Sequence, residues 1–232
     1  MKKSIWDNGS MRDRDGILLL FLCLVLVPVG IEYAFHAWLL HMLQDELYAG
    51  TITGFVMAVV FVMGVYYIVL RPNRIGWSNV GMSAFSKQYW KWIVFWILAI
   101  LTISTIIVII MDLLQLGVEN SKTTALTTDW NWFRFGVGIL SAAVISPVYE
   151  EIFYRGFLYK WFRSKWGVAG GVLGSSIIFT IAHIPTYNTL LINFISGVVF
   201  CWTYEQSKSV IPAIIIHGAM NGIAIIVTSL MQ

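Results

Sequence analysis

Apolar residues fall into seven runs close to the ~20 residues that a helix needs to cross a bilayer. These are Ile17 to about Leu40, Thr51 to Leu70, Ile93 to Leu116, Phe133 to Tyr149, Val168 to His183, Leu190 to Tyr204 and Ile211 to Met231. The pattern predicts an all-α, polytopic integral membrane bundle of about seven transmembrane helices. Six or eight are the alternatives, because the fifth and sixth runs are short and separated only by His183 to Thr189. Lys2, Lys3, Arg12 and Arg14 precede the first run, as in a secretory signal. The run is too long for a signal core and lacks a small-x-small cleavage site, so it is expected to remain as the first helix.

Composition agrees: 58% hydrophobic and 12% charged residues, with a mean hydropathy of +0.77, do not make a soluble globule. The formal net charge of +3 gives no reason to expect nucleic acid as a partner. Lysine and arginine crowd onto alternate loops: the N-terminus, the loop with Arg71, Arg74, Lys87 and Lys91, the loop with Lys160, Arg163 and Lys165, and the turn with Lys208. Lys122 and Arg134 fall on the other side with Asp45, Glu46, Glu119 and Asp129. The positive-inside rule then predicts a multi-pass cell-membrane protein with its N-terminus, Lys87 and Lys165 in the cytoplasm and Glu119 and Gln232 outside. Tryptophans 77, 90, 92, 130, 132, 161 and 166 lie near predicted helix ends, as an aromatic belt would place them. Cys23 and Cys201 both sit in apolar runs and read as buried packing residues rather than a disulfide. The chain divides in character within one integral membrane domain. Residues 1–132 supply three helices rich in bulky side chains that read as wrapping, and 133–232 supply four helices with small residues at packing spacing, among them Gly170, Gly171, Gly174 and Ser175.

Polar residues intrude on this second half. An ionisable residue within a spanning helix is costly and by default a functional candidate. Glu150 and Glu151 stand side by side, with Arg155 four residues after Glu151, the favourable order for a helical ion pair. Glu151 is thus expected to be neutralised in place. Glu150 is rotated by about 100° to another neighbour. Pro147, one turn earlier, removes a backbone donor and is expected to kink the helix and open a cavity beside the carboxylate. His183 closes the fifth run, and His217 and Asn221 share one face of the seventh. Measured along the helices, Glu150, His183 and His217 are expected to converge in the inner half of the bilayer, around a cavity facing the cytoplasm. Glu32 and His36 share a face of the first helix and read as a polar contact between helices.

The blocks EEIFYR, FTIAH and HGAMN resemble, in order, the three signature motifs of the CPBP family, also called the Abi or CAAX protease family: EExxxR, FxxxH, and HxxxN or HxxxD. The resemblance covers about Phe133 to Leu230. It implies an intramembrane endopeptidase, as in Rce1-type CAAX prenyl endopeptidases and in bacterial members linked to bacteriocin processing and self-immunity. Carried over, Glu150 with His183 would activate water, His217 and Asn221 would steady the oxyanion, and Glu151 and Arg155 would support the site. Glu150, His183 and His217 are also a possible zinc set with one open position, and the family has long been called metalloproteases. The same residues suffice without a metal, which is favoured because Asn221 is a poor zinc ligand and a good oxyanion donor. The expected partners are the lipid bilayer and a membrane-associated peptide or protein substrate, prenylated or not. Rival readings are a non-catalytic membrane or immunity protein binding a sensor kinase or bacteriocin, and a transporter using its buried acids and histidines as a proton relay.

Overall fold

A computed structural model describes residues 12–117 and 131–230, and all regular structure among them is helical. Lys2, Lys3, Glu119, Lys122, Asp129, Trp130 and Gln232 therefore lie outside the described residues. Five stretches are long and apolar enough to cross a membrane: Asp13–Leu43 (α1), Glu46–Asn73 (α2), Lys87–Leu113 (α3), Trp132–Ile181, and Ile211–Leu230 (α7). The fourth would measure about 75 Å if straight, far more than a hydrocarbon core of about 30 Å. It is not straight. Trp166 and Gly167 leave the helical region, Gly167 at φ +69°, where a side chain would be strained. The chain reverses there, so residues 132–165 form α4 and 168–181 form α5. Leu190–Ser207 forms α6, which is not among the five stretches. The expected count of seven crossings is met in part: five stretches qualify, and α5 and α6 supply two shorter helices.

The α4–α5 reversal closes because its facing residues are small. A Cβ on Gly171 would stand 2.9 Å from the Tyr159 ring, and one on Gly174 would stand 2.8 Å from Phe162. Ser175 Oγ donates to the Tyr154 carbonyl at 2.9 Å. These are the residues whose spacing promised close packing.

The helix α4 runs through the middle of the bundle, with α2 against one side and α7 against another. Phe61 and Val65 of α2, Cys23 and Val27 of α1, Phe153 and Phe157 of α4, and Phe179 of α5 form one buried cluster. The first two helices therefore belong to the core as well as enclosing it. The helix α3 lies on another side, where Ile93 and Ile100 meet Phe200 of α6 and Ile216 of α7. Phe21, Leu26, Phe55, Leu98, Ile106 and Ile109 are exposed, an exterior that suits lipid rather than water. Cys23 and Cys201 are buried thiols, as expected.

The two ends of the bundle differ. At one, α1 begins, α2 ends, α4 turns into α5, and α6 turns into α7. Lys165 pairs with Asp13, Arg163 with Glu205 at 3.0 Å and Lys208 with Glu205 at 2.8 Å, while Lys160 Nζ donates to the Asn79 carbonyl. At the other end, Asp45 caps α2 by accepting from the Tyr48 N–H at 3.1 Å, and Asn131 caps α4 by accepting from the Phe133 and Arg134 N–H groups. Arg134 spans these two caps to hydrogen-bond Asp45, which holds the Asp45 carboxyl below its ordinary value. Trp161 departs from the expected belt: it is buried over Gly16.

Gly156 and Gly136 make opposite predictions from the same helix. A Cβ on Gly156 would lie 2.5 Å from the Val80 carbonyl oxygen, a backbone atom, whereas one on Gly136 meets nothing within 4 Å. Gly156→Ala should lower stability by about 1 to 3 kcal/mol through overpacking. Gly136→Ala should be neutral or stabilising, because alanine is the better helix former by up to about 1 kcal/mol. Thermal unfolding of the two variants in detergent checks the contrast; equal effects would contradict this packing.

Candidate active site

Pro147 sets the local geometry of α4. Having no N–H, it cannot donate to the carbonyl four residues back in an α turn, or five back in a π turn. The turns immediately before it, Leu140–Ile145, are of the wider π type. The carbonyl left short is made good from another helix: Asn221 Nδ2 of α7 donates to Ala142 O at 2.8 Å. Gly218, one turn before Asn221, permits that approach, because a Cβ there would lie 2.4 Å from the Ala143 carbonyl.

After Pro147 come the two glutamates, and they are treated differently, as their rotation predicts. Glu151 and Arg155 are both fully buried, and Arg155 Nη1 donates to Glu151 Oε1 at 2.8 Å. The guanidinium lies over the rings of Phe179 at 4.4 Å and Phe200 at 5.0 Å, so its charge is balanced by one carboxylate and by aromatic faces. Glu150 is 7% exposed, accepts a short hydrogen bond from Ser146 Oγ at Oε1, and faces a cavity.

The hydrogen bonds of the two histidines fix their tautomers. His183 Nδ1 lies 2.7 Å from the Phe179 carbonyl, which only accepts, so Nδ1 carries the hydrogen and Nε2 carries the lone pair in the neutral ring. His217 Nδ1 lies 2.9 Å from Glu151 Oε1 and donates to it, and its ring stacks on Phe200 at 4.9 Å. His217 Nε2 then stands 3.9 Å from Glu150 Oε2. That gap is too long for a direct hydrogen bond and suits one bridged by water. Glu151 thus orients His217 through the same oxygen that holds Arg155.

The cavity measures about 380 Å³, within the range of pockets that take ligands. Glu150 and His183 line it, with Ser146, Tyr149 and Tyr154 beside them. His217 backs Glu150, and Asn221 is not among the lining residues. Asn221 Nδ2 carries two hydrogens and gives one of them to Ala142 O, a tie between helices that stands beside the oxyanion role the resemblance implies. Glu150 and His217 meet near mid-bundle, and the cavity beside them extends away from the basic loops. Most of the lining comes from the parts of α1, α2 and α4 nearer the Asp45–Arg134 end, together with Ala182 to Thr186, while Cys23 and Tyr154 line it toward the basic end. Side-chain depth was reckoned from helix ends, but the open space is set by small residues, Gly50, Gly54, Gly138, Ser141 and Ala142, that cluster toward the opposite end.

His36 bridges α1 and α2 through Thr53 Oγ1 and Glu46 Oε1, both at 3.2 Å, the interhelical contact expected of it. It also lines the cavity with Glu32. Sequence reasoning missed Ser146, Gly197, whose carbonyl accepts from Arg155 Nη2 at 3.4 Å, and Phe200. Only Ser146 carried a signal, being one helical turn before Glu150.

An apolar-surfaced helical bundle enclosing paired carboxylates and histidines is a membrane protein with a candidate hydrolytic centre. The comparisons agree with that class. Residues 130–223 match the family model described as type II CAAX prenyl endopeptidase Rce1-like, so the likeness to the CPBP family holds over the part of the chain that carries the three motifs. The UPF0177 protein YbdI of Lactococcus lactis subsp. lactis (strain IL1403) is 28% identical over 106 residues, 45% of this chain and 55% of that protein. The chain thus spans about half the length of the curated relative it matches. No solved structure matches it significantly.

Among the described residues no three His, Cys, Asp or Glu side chains gather into a metal-holding group. Both histidines engage a protein acceptor through Nδ1, the arrangement of histidines that meet a ligand or metal through Nε2.

Asn221→Ala separates a positioning role from an oxyanion role. Removing the donor from a carbonyl that Pro147 has already deprived should lower stability by about 1 to 3 kcal/mol, together with any activity. Thermal unfolding of the purified variant is the measurement. An unchanged melting temperature with lost turnover would favour the oxyanion role.

Proposed function

We propose that this chain is an intramembrane endopeptidase of the CPBP, or CAAX protease, type, hydrolysing a peptide bond in a membrane-associated peptide or protein with water activated by a glutamate. The observation that carries this reading is the division of labour between adjacent carboxylates: Glu151 is locked by Arg155 and His217, while Glu150 opens onto a cavity shared with His183. A water bridging Glu150 and His217 Nε2 sits where a general base can take its proton as the oxygen adds to the scissile carbonyl. His183, whose Nε2 holds the basic lone pair, shares that proton and returns it to the departing amine. His217, when protonated and steadied by the Glu151 carboxylate, donates from Nε2 to the oxyanion. Asn221 acts as a positioning residue, holding α7 to α4 so that His217 keeps its place. The surroundings of the site are dry and aromatic, which strengthens each of these electrostatic contacts.

The alternation of basic loops supports a cell-membrane orientation with the N-terminus in the cytoplasm and the end of α7 outside.

Glu150→Gln is the test. The variant keeps the shape and the Ser146 contact, so purified protein should unfold at the wild-type temperature while turnover falls by about 100-fold to 10,000-fold, as loss of a general base does. The assay compares small peptides and membrane-protein fragments from cells carrying the wild type or the variant. Identical profiles would sink the proteolytic reading in favour of a non-catalytic partner.

A further inference from the structure

The cavity is closed at the basic end. Every residue of Ile152–Tyr159 is buried, as are Trp161 and Phe162 beyond it. Trp161 packs on Gly16 of α1, and Gly156 packs on the Val80 carbonyl. Tyr159 and Arg163 are both tied to Glu205 of α6. Of Ile152–Tyr159 only Tyr154 lines the cavity, and none of the basic residues of this end does.

At the opposite end the lining becomes more exposed. Side-chain exposure rises from 9% at Glu150 on the floor to 23% at His36 and 42% at Glu46. Gly50 and Pro185 on the same rim are exposed. The mouth therefore lies at the end that carries the Asp45–Arg134 pair. The closed end carries Arg12, Arg14, Arg71, Arg74, Lys87, Lys91, Lys160, Arg163, Lys165 and Lys208, and a concentration of short-loop cations marks the cytoplasmic side.

We infer that the cavity takes its substrate from the non-cytoplasmic side, and that the substrate is a segment of a membrane polypeptide already translocated across the bilayer. The inference rests on the proteolytic reading for its substrate class, but its geometry is independent of it. The lining chemistry favours an internal segment over a free C-terminal tail. It contains the carboxylates of Glu32, Glu46 and Glu150 and neither lysine nor arginine. A terminal carboxylate entering this space would meet like charge and no cation, an arrangement that selects against such a ligand.

Two glycines that tolerate a side chain allow the test on the full-length protein in intact cells. Gly50 lies on the cavity rim and Gly76 in the basic loop, and a Cβ at either meets nothing within 4 Å. A membrane-impermeant maleimide should label Gly50→Cys in intact cells to the level reached after permeabilisation. It should label Gly76→Cys only after permeabilisation, with the wild type, whose two thiols are buried, as background. Thr186→Cys, on the other side of the mouth, is the second reporter and should follow Gly50→Cys. Labelling of position 76 in intact cells, or of 50 and 186 only after permeabilisation, would overturn the inference and return the mouth to the cytoplasm. That failure would leave the Glu150→Gln result untouched. Conversely, unchanged peptide profiles with the labelling expected here would remove the protease and keep the access route.

Discussion

The structure depends on a buried cation. Arg155 has no access to solvent, and a guanidinium taken out of water carries a desolvation cost of several kcal/mol. Three features of the fold meet it: the Glu151 carboxylate on the same helix, the Gly197 carbonyl on α6, and the faces of Phe179 and Phe200. They come from α4, α5 and α6, so these three helices can pack only in a register that serves the arginine. Glu151 is thereby fixed, His217 is fixed by Glu151, and α7 is placed in turn. The chemistry proposed for Glu150 needs this chain of constraint, because a base is useful only if its neighbour is not competing for the same proton.

A second constraint is the proline one turn earlier. Pro147 strips a donor from the helix interior, and Asn221 returns one from α7. The helix is thus joined to α7 on both sides of Glu150, through a backbone carbonyl before it and a carboxylate after it. Between these ties α4 widens into π turns, and the small residues Ser141 and Ala142 leave room for the cavity. Below the glutamates every residue of the same helix through Tyr159 is buried, the paired Arg155 among them, which closes the route to the basic end.

Much of this was legible in the sequence, where one residue's neighbours are set by its own helix. The apolar runs locate α1 to α7 among the described residues, the four-residue spacing of Glu151 and Arg155 gives their ion pair, and the Gly171–Ser175 face gives the α4–α5 contact. The hydropathy break after Tyr149 did not end α4, because the charges that cause the break are neutralised inside the bundle rather than solvated. What was not legible depends on rotation between helices. Which carboxylate receives His217, whether Asn221 faces cavity or backbone, and which end of the cavity opens all follow from how α7 and α2 sit on α4. The three motifs locate the residues without giving those angles.

The central claim is that Glu151 and Arg155 act as one neutralised unit, which makes Glu150 the reactive carboxylate of the pair. A double-mutant cycle on unfolding stability tests it most directly. Glu151→Leu or Arg155→Met alone leaves an uncompensated buried charge and should cost about 3 to 5 kcal/mol. The double variant, with apolar side chains in both places, should regain much of that loss, so the two effects fall well short of additive. Additive losses in the purified proteins would mean that the two residues are not coupled, and would contradict the account.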